Sequence, residues 1–434
     1  MSWPSQPLAA GFADGRAGAA AVERNATRFV VLICILPLFA QSFYYLLPVA
    51  PLYYLSKVWP VLMLPAAAWA LTRLQLQSRT IYVVWLAYAL GLTPLISMMQ
   101  LGAGFFDALT TTVKVWPFTY YFSLLGVLCW LRPTARQIER AVLGLGAATF
   151  VLMALLWVLV PASWYTVDAT NSKFFIFEFE RGNRIYMPMF FGYLLLFCLA
   201  RRLSSRMRIT TGAVIATGFA LLLWINKQRT SIGGAALVVA VAACPARWRV
   251  LAFLAGALGL GAATAFTLAG PASGVVDSLG SSLSVRQQSL LAAITYLGDD
   301  PLRWLFGVGA TTRFSSVTLS DIFKSEQFYL ADIGWVGVIF EFGILGALLV
   351  AAVYGTGLVV TMRAGAGGDP FMQSLSSYVL FMIVTSAIYS VVFTPGELAT
   401  VVAMSEYLAR YAPRFPRPGG PVSGFVALSP QEPR

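Results

Sequence analysis

Long apolar segments recur along almost the whole chain, and they constrain the fold more than any other feature of the sequence. A helix needs about 20 mainly apolar residues to cross a bilayer. Candidate spans lie near residues 29–48, 58–73, 81–99, 112–131, 141–160, 185–200, 209–226, 231–245, 250–270, 328–361, 371–393 and 396–411. They predict an all-α, polytopic membrane protein with about twelve transmembrane helices. The window at 328–361 is long enough for a half-helix followed by a full span.

The composition agrees with a membrane protein and leaves no room for a large soluble domain. Hydrophobic residues make up 58% of the 434 residues and charged residues only 11%, against about 25% charged residues in soluble domains. We expect a cytoplasmic tail at 1–28 without a cleavable signal pattern and a transmembrane domain at 29–411. The Pro- and Gly-rich end at 412–434 predicts a disordered cytoplasmic tail.

Charge is distributed asymmetrically between the predicted loops. With the N-terminus in the cytoplasm, 19 of the 30 basic residues but only 5 of the 18 acidic ones fall in cytoplasmic loops and tails. This is the positive-inside bias of membrane proteins. Because it accounts for the net charge of +12, the basic balance does not indicate binding to nucleic acid.

The polar residue types limit the chemistry. The chain has no histidine, so any acid–base catalysis must use Asp, Glu, Lys or Arg side chains or backbone groups. The four cysteines lie inside apolar runs without the spacing of a metal site. No glycine-rich nucleotide loop is present in the sequence. We therefore expect neither a metal nor a cofactor.

Two predicted outer loops are longer and more polar than the rest, namely 161–184 and 271–327. In the first, the aromatic run 174–177 suggests an interfacial anchor. In the second, an amphipathic helix is predicted over 285–296, followed by a turn at 298–301. Loops of this size are usually functional or disordered, and the regular apolar spacing favours an ordered lid.

Several basic residues run against the positive-inside rule because they lie outside the cytoplasm. Arg184, Lys227, Arg229 and Arg286 each fall at or near an outer helix end, and Arg181 lies close to the first of them. Guanidinium groups that meet at one depth are suited to grip phosphate with paired hydrogen bonds. The simpler alternative is that they snorkel, or pair with carboxylates such as those at 178 and 180 and those of the lid.

At this point the pattern resembles the bacterial polysaccharide polymerases of the Wzy type and the related O-antigen ligases. The matching pieces are Arg181-Gly-Asn-Arg184-Ile-Tyr-Met-Pro188, Asn226-Lys-Gln-Arg229-Thr-Ser231-Ile-Gly233-Gly, Ser284-Val-Arg286, Asp300-Pro-Leu-Arg-Trp-Leu-Phe-Gly307-Val-Gly309 and Ser325-Glu326-Gln-Phe-Tyr329-Leu330 leading to Glu341-Phe-Gly343-Ile-Leu-Gly346. They cover residues 180–350 in the expected order.

The resemblance implies a GT-C-like glycosyltransferase at the periplasmic face of the bacterial inner membrane. It would polymerise repeat units carried on undecaprenyl diphosphate into exopolysaccharide or O-antigen, inverting the anomeric centre without a metal. Donor and acceptor would both be lipid-linked oligosaccharides, and a flippase and a chain-length regulator of the same pathway would be partners. The basic residues at 181, 184, 227, 229 and 286 would hold the diphosphate and stabilise its departure.

The ligases have a histidine after the lid, where this chain has Ser325-Glu326-Gln327. The absence of this histidine weakens the ligase interpretation and predicts that a carboxylate deprotonates the acceptor hydroxyl. Glu326 is the first candidate for this base and Asp332 the second. Alternatively, Glu326 belongs to a solvated loop edge and Asp332 caps a helix.

Three charged residues in apolar stretches call for partners. Asp332 and Glu341 lie between 329 and 350, and Lys114 lies in the span that starts near 112. Because an uncompensated acid costs roughly 2.5–3.5 kcal/mol in a span, at least one of the two acids should face protein or a wet cleft. Lys114 is a weaker site candidate. Two other functions remain open, namely an O-antigen ligase acting on lipid A core and a secondary transporter, although no internal 200-residue repeat is visible.

Overall fold

The computed structural model describes residues 26–413, apart from positions 45, 180, 255 and 329 and the segments 168–173, 204–207, 245–253, 257–280, 312–316, 325–327 and 388–394. This part of the chain is mostly helical. The helices are α1 (Ala26–Phe39), α2 (Ala50–Leu62), α3 (Leu64–Arg73), α4 (Arg79–Ala87), α5 (Thr93–Leu101), α6 (Phe105–Thr110), α7 (Tyr120–Leu131), α8 (Ala135–Leu159), α9 (Phe190–Arg202), α10 (Arg208–Leu221), α11 (Arg229–Ala243), α12 (Ser281–Leu297), α13 (Pro301–Phe306), α14 (Leu319–Phe323), α15 (Gly334–Gly365), α16 (Pro370–Thr385) and α17 (Pro395–Arg410).

Short polar signals in the sequence begin several of these helices. Thr134 and Gln137 form a reciprocal capping box at the start of α8, and Asp369 accepts a hydrogen bond from the backbone at the start of α16. Asp300 caps α13, whose first residue is a proline. Each cap satisfies backbone N–H groups that have no partner within the helix.

Five stretches of the described chain are long and apolar enough to cross a membrane. They are Ala50–Arg73, Arg79–Leu101, Ala135–Leu159, Ile209–Asn226 and Leu330–Gly365. Four shorter apolar helices of 10–17 residues lie at Ala26–Phe39, Trp116–Leu131, Arg229–Ala243 and Pro370–Thr385. The long apolar helices indicate a multi-pass membrane protein.

Twelve spans are predicted, but among the described residues only five stretches are long and apolar enough to cross a membrane. Most of the span predicted near 250–270 lies outside the described residues. The span predicted at 185–200 begins only at Phe190, because the preceding residues form a strand and then a segment without regular secondary structure.

The all-α prediction misses a β-hairpin in the first outer loop. Strand β1 (Phe175–Glu178) pairs antiparallel with β2 (Gly182–Ile185), and Phe175 lies opposite Ile185. The aromatic run interpreted as an interfacial anchor is thus largely a strand, with Ile176 buried. The aromatic and β-branched residues of Phe-Ile-Phe and a glycine with φ +66° at position 182 favour this hairpin.

The described part of the second predicted outer loop forms an ordered lid, as its apolar spacing predicts. The predicted helix over 285–296 is present as α12, and α13 follows after the turn. A small apolar cluster joins this lid to the start of α15 and comprises Ala293, Leu297, Val308, Phe328, Leu330, Ile333 and Phe340.

The helix over the window at 328–361 is interrupted once, at Gly343, where φ is +66° and ψ is −177°. A half-helix therefore precedes a longer apolar helix, as the length of this window suggests.

Loops assigned to the cytoplasm meet at one end of the bundle. The Tyr407 hydroxyl donates to the Pro133 carbonyl over 2.9 Å, and Arg410 donates to the Gln75 carbonyl over 2.9 Å. Arg202 pairs with Glu139 at the ends of α9 and α8. Since α8 and α9 run from this end to the hairpin, the hairpin and the lid lie at the other end.

Candidate functional site

The hairpin is fastened to the turn between α10 and α11. A π turn at Leu222–Asn226 ends at Lys227, which has φ +57°. The Asn226 amide donates to the carbonyls of Ile185 and Met187 over 3.4 and 3.3 Å. The Lys227 ammonium donates to the carbonyls of Arg181 and Asn183 over 2.6 and 2.9 Å. These four hydrogen bonds place β2 directly against the turn.

Two arginines of the hairpin pair with a carboxylate of the same hairpin. The Arg181 Nε lies 3.4 Å from Glu178 Oε2, and Arg184 pairs with the other oxygen of Glu178. Local pairing, the simpler alternative considered for these residues, therefore applies to both. The buried Nε of Arg184 has no hydrogen-bond partner among the described residues.

Basic side chains from separate parts of the chain act on one another at this end of the bundle. Burial lowers the pKa of Arg181, and the charges of Arg184, Arg229 and Arg286 lower it further, whereas Glu178 raises it. Burial and Arg184 likewise lower the pKa of Lys227, against the opposing effect of Glu178. We call Arg181, Arg184, Lys227, Arg229 and Arg286 the basic cluster.

Asp332 lies beside this cluster. It belongs to the short turn that leads into α15 and interacts electrostatically with Arg286 and Arg184. The cluster thus gathers residues from the hairpin, the α10–α11 turn, the start of α11 and the lid helix α12, and Asp332 comes from the approach to α15. Five like charges with few described carboxylates nearby favour binding of a multivalent anion.

The lysine of the cluster differs from the arginines in what it already contacts. An ammonium has three N–H donors, and Lys227 uses two of them in hydrogen bonds to hairpin carbonyls. Its first role is therefore to hold the hairpin, while its charge and one remaining donor can act on an anion. Arg229 is exposed at the first position of α11.

A second polar group adjoins the cluster, and the sequence reasoning did not single it out. Burial raises the pKa of the Tyr186 phenol, as do the charges of Asp332 and Glu397, while Arg184 and a hydrogen bond with Gln228 lower it. Glu397, in the first turn of α17, accepts a hydrogen bond from Tyr378 over 2.7 Å. An acid directly after Pro395-Gly396 at the start of a predicted span was the available signal.

The first candidate base, Glu326, lies outside the described residues, as do its neighbours 325 and 327. Its position relative to the basic cluster therefore stays a prediction. Within the described part of the chain, no group of three or more Cys, Asp or Glu side chains could hold a metal ion.

The other charges predicted within apolar stretches pair with each other, away from the cluster. Lys114 forms an ion pair with Glu341, which is 1% exposed, and also donates to the Thr311 carbonyl over 3.2 Å. Glu341 thus faces protein, as the cost of a lone buried acid requires. The pair joins the segment after the lid helix to two separate parts of the bundle.

The Gly307-Val308-Gly309 motif serves close backbone packing against the interrupted helix. The Val308 and Gly309 amides donate to the carbonyls of Phe340 and Glu341 over 2.7 and 3.2 Å. A Cβ atom at Gly307 would lie 2.6 Å from the Glu341 carbonyl oxygen, and one at Gly309 would lie 2.3 Å from the hydroxyl oxygen of Ser97. Only glycine fits these two positions.

A comparison of the chain with models of known protein families finds no match, and a comparison with curated proteins finds no similar sequence.

Proposed function

We propose that the chain is a membrane glycosyltransferase that polymerises lipid-diphosphate-linked oligosaccharide repeat units at the periplasmic face of a bacterial inner membrane. The proposal rests on one observation above all: the basic cluster draws side chains from distant segments to one end of a multi-pass bundle. A diphosphate at the membrane surface has the charge and the oxygen acceptors that such a cluster binds.

In the proposed reaction, an acceptor sugar hydroxyl attacks the anomeric carbon of the donor. The bond from that carbon to the diphosphate oxygen breaks, and the electron pair leaves with the lipid diphosphate. The basic cluster stabilises the negative charge that develops there, which is electrostatic catalysis. Undecaprenyl diphosphate is the lipid carrier that the sequence resemblance implies. Glu326 and Asp332 are the candidate bases for the acceptor hydroxyl.

The proposal is tested by Arg229→Ala and Arg286→Ala in the purified protein, with lipid-diphosphate-linked repeat units as the only substrate. Both variants should lower polymer formation by at least about 100-fold, since one lost donor to a developing oxyanion typically costs that much. Arg202→Ala is the matched control, because it removes a guanidinium group at the other end of the bundle.

The product distinguishes the remaining functions. A ladder of longer lipid-linked products indicates a polymerase, and transfer of glycan to lipid A core indicates a ligase. Solute flux into proteoliposomes without any glycan product would instead favour a transporter. Full activity of both arginine variants would refute the proposed diphosphate site.

A further inference from the structure

Two carboxylates, Asp332 and Glu397, interact electrostatically with the Tyr186 phenol, and their surroundings differ. Asp332 interacts with Arg286 and Arg184, so its charge is engaged by the basic cluster. Glu397 interacts only with phenol groups among the described residues, and Tyr378 is the one that hydrogen-bonds to it. The neighbouring stretch 388–394, which the structure does not describe, contains no basic residue.

One oxygen of Glu397 is held in place and the other is open. Tyr378, which is 1% exposed, donates to Oε2 over 2.7 Å. Oε1 accepts no hydrogen bond from the described residues, and the side chain as a whole is half-buried. A carboxylate oriented through one oxygen presents the other in a defined direction, which is the arrangement needed for proton transfer.

Tyr186 connects this carboxylate to the basic cluster. Its phenol interacts electrostatically with Arg184 and Asp332 and also with Glu397. The position of Tyr186 is fixed because the segment before α9 is hydrogen-bonded to Asn226 through the carbonyls of Ile185 and Met187. Glu397 thus acts on the same phenol as Arg184 of the cluster, while it forms no ion pair with a described residue.

We infer that Glu397 is the acceptor-side carboxylate of this site and takes the proton of the attacking sugar hydroxyl on Oε1, while Tyr378 orients it. The inference rests on the proposed function. The acceptor O–H bond breaks as its oxygen bonds to the anomeric carbon, and the proton goes to Glu397. The electron pair of the cleaved bond leaves with the diphosphate, whose charge the basic cluster meets.

The experiment compares turnover with donor binding in the purified full-length protein. Glu397→Gln keeps the size of the side chain and its ability to accept the Tyr378 hydrogen bond, but it is a far weaker proton acceptor. Turnover should fall by about 100-fold or more, while binding of a fluorescent undecaprenyl-diphosphate oligosaccharide stays within twofold of the unchanged protein. Glu139→Gln, at the inner end of the bundle, is the matched control and should leave both quantities unchanged.

The outcomes separate this inference from the proposed function. If Glu397→Gln retains full turnover while Arg286→Ala is inactive, the inference fails and the proposed function stands. If both arginine variants are active, the proposed function itself fails. Equal losses of donor binding and turnover in Glu397→Gln would also overturn the inference, because they would place Glu397 on the donor side.

A second variant decides the matter if Glu397→Gln does not accumulate in the membrane. Asp332→Asn should retain turnover and bind the donor at least as tightly, because removing this carboxylate leaves Arg286 and Arg184 less neutralised. A loss of turnover of about 100-fold with donor binding retained in Asp332→Asn would instead make Asp332 the proton acceptor and exclude Glu397.

Discussion

Charged side chains inside an apolar bundle must either pair or carry a large energetic cost, and the pair of Lys114 and Glu341 shows how this chain meets that requirement. Their side chains are 13% and 1% exposed. Removing one partner of a buried pair leaves the other charge uncompensated, whereas removing both eliminates the problem. The pair is therefore expected to specify the position of the segment around Thr311, to which Lys114 also donates.

We predict that Lys114→Met lowers the free energy of unfolding by about 3–5 kcal/mol, because Glu341 is left buried without its cation. The double variant Lys114→Met/Glu341→Met should be less destabilised than Lys114→Met alone. Reversible denaturation in mixed detergent micelles measures both. Glu139→Gln breaks the exposed pair with Arg202 and should cost less than about 1 kcal/mol; similar losses for Lys114→Met and this control would argue against a specific role for the buried pair.

At the residue scale, the sequence supplied candidates but not their partners. The cost of a buried acid drew attention to Glu341 and Lys114 separately, yet 227 positions separate them and no local pattern joins them. Likewise, the basic residues could be selected because they break the positive-inside rule. The sequence could not predict that Lys227 donates to the carbonyls of Arg181 and Asn183. These hydrogen bonds depend on the hairpin, which the sequence analysis did not predict.

At the scale of elements, the interruption of α15 is matched to the part of the lid that follows the lid helix. Gly343 and Gly307 face each other so closely that a Cβ atom on Gly343 would lie 2.3 Å from the Leu305 carbonyl oxygen and 2.5 Å from the Gly307 nitrogen. The Tyr88 hydroxyl donates to the Phe342 carbonyl over 2.6 Å, which satisfies a backbone group near the break. Irregular backbone inside a bundle is tolerated when protein groups replace the missing hydrogen bonds.

We predict that Gly343→Ala destabilises the protein by more than about 1–3 kcal/mol, the usual cost of forcing a side chain into such a backbone conformation, because a steric clash adds to it. Thermal unfolding in detergent would measure the loss. The matched control is Gly355→Ala in the same helix, where a Cβ atom meets nothing within 4 Å.

The control should be neutral, or up to about 1 kcal/mol more stable, because alanine favours a helix over glycine. Equal stability of Gly343→Ala and the unchanged protein would mean that the close approach of the lid segment to α15 does not exist in solution.

Elements with strong periodic signals could be predicted, and the others could not. The lid helix and the division of the window at 328–361 followed from apolar spacing and length. The hairpin was missed because each strand has only four residues, too few for alternation to outweigh the apolar character of the aromatic run. Its stability comes from pairing with the π turn at Leu222–Asn226, a contact between segments about 40 residues apart.

At the scale of the whole molecule, the two ends of the bundle differ in what their charges do. Contacts at the end formed by Pro133, Gln75 and Tyr407 involve loops that the positive-inside rule assigns to the cytoplasm. The basic cluster occupies the end where that rule predicts few cations, and there its charges are close enough to repel one another. The positive-inside rule therefore predicts that the cluster lies outside the cytoplasm.

Single-cysteine labelling tests this orientation. In a variant in which Cys34, Cys129, Cys198 and Cys244 are replaced by serine or alanine, new cysteines are placed at exposed positions of both ends. Phe179→Cys on the hairpin, 86% exposed, and Asp299→Cys on the lid should react with a membrane-impermeant maleimide in intact spheroplasts. Arg136→Cys and Arg363→Cys, exposed at the opposite end, should react only after permeabilisation.

Pairing these positions makes the result decisive, because the charge of Arg286 acts on Arg181 and the hairpin and the lid must therefore share one side of the membrane. Labelling of Phe179→Cys and Asp299→Cys from opposite sides would contradict the fold itself. Labelling of both only after permeabilisation would preserve the fold but reverse its orientation. The basic cluster would then face the cytoplasm, and a lipid-linked donor already carried to the periplasmic face could not reach it.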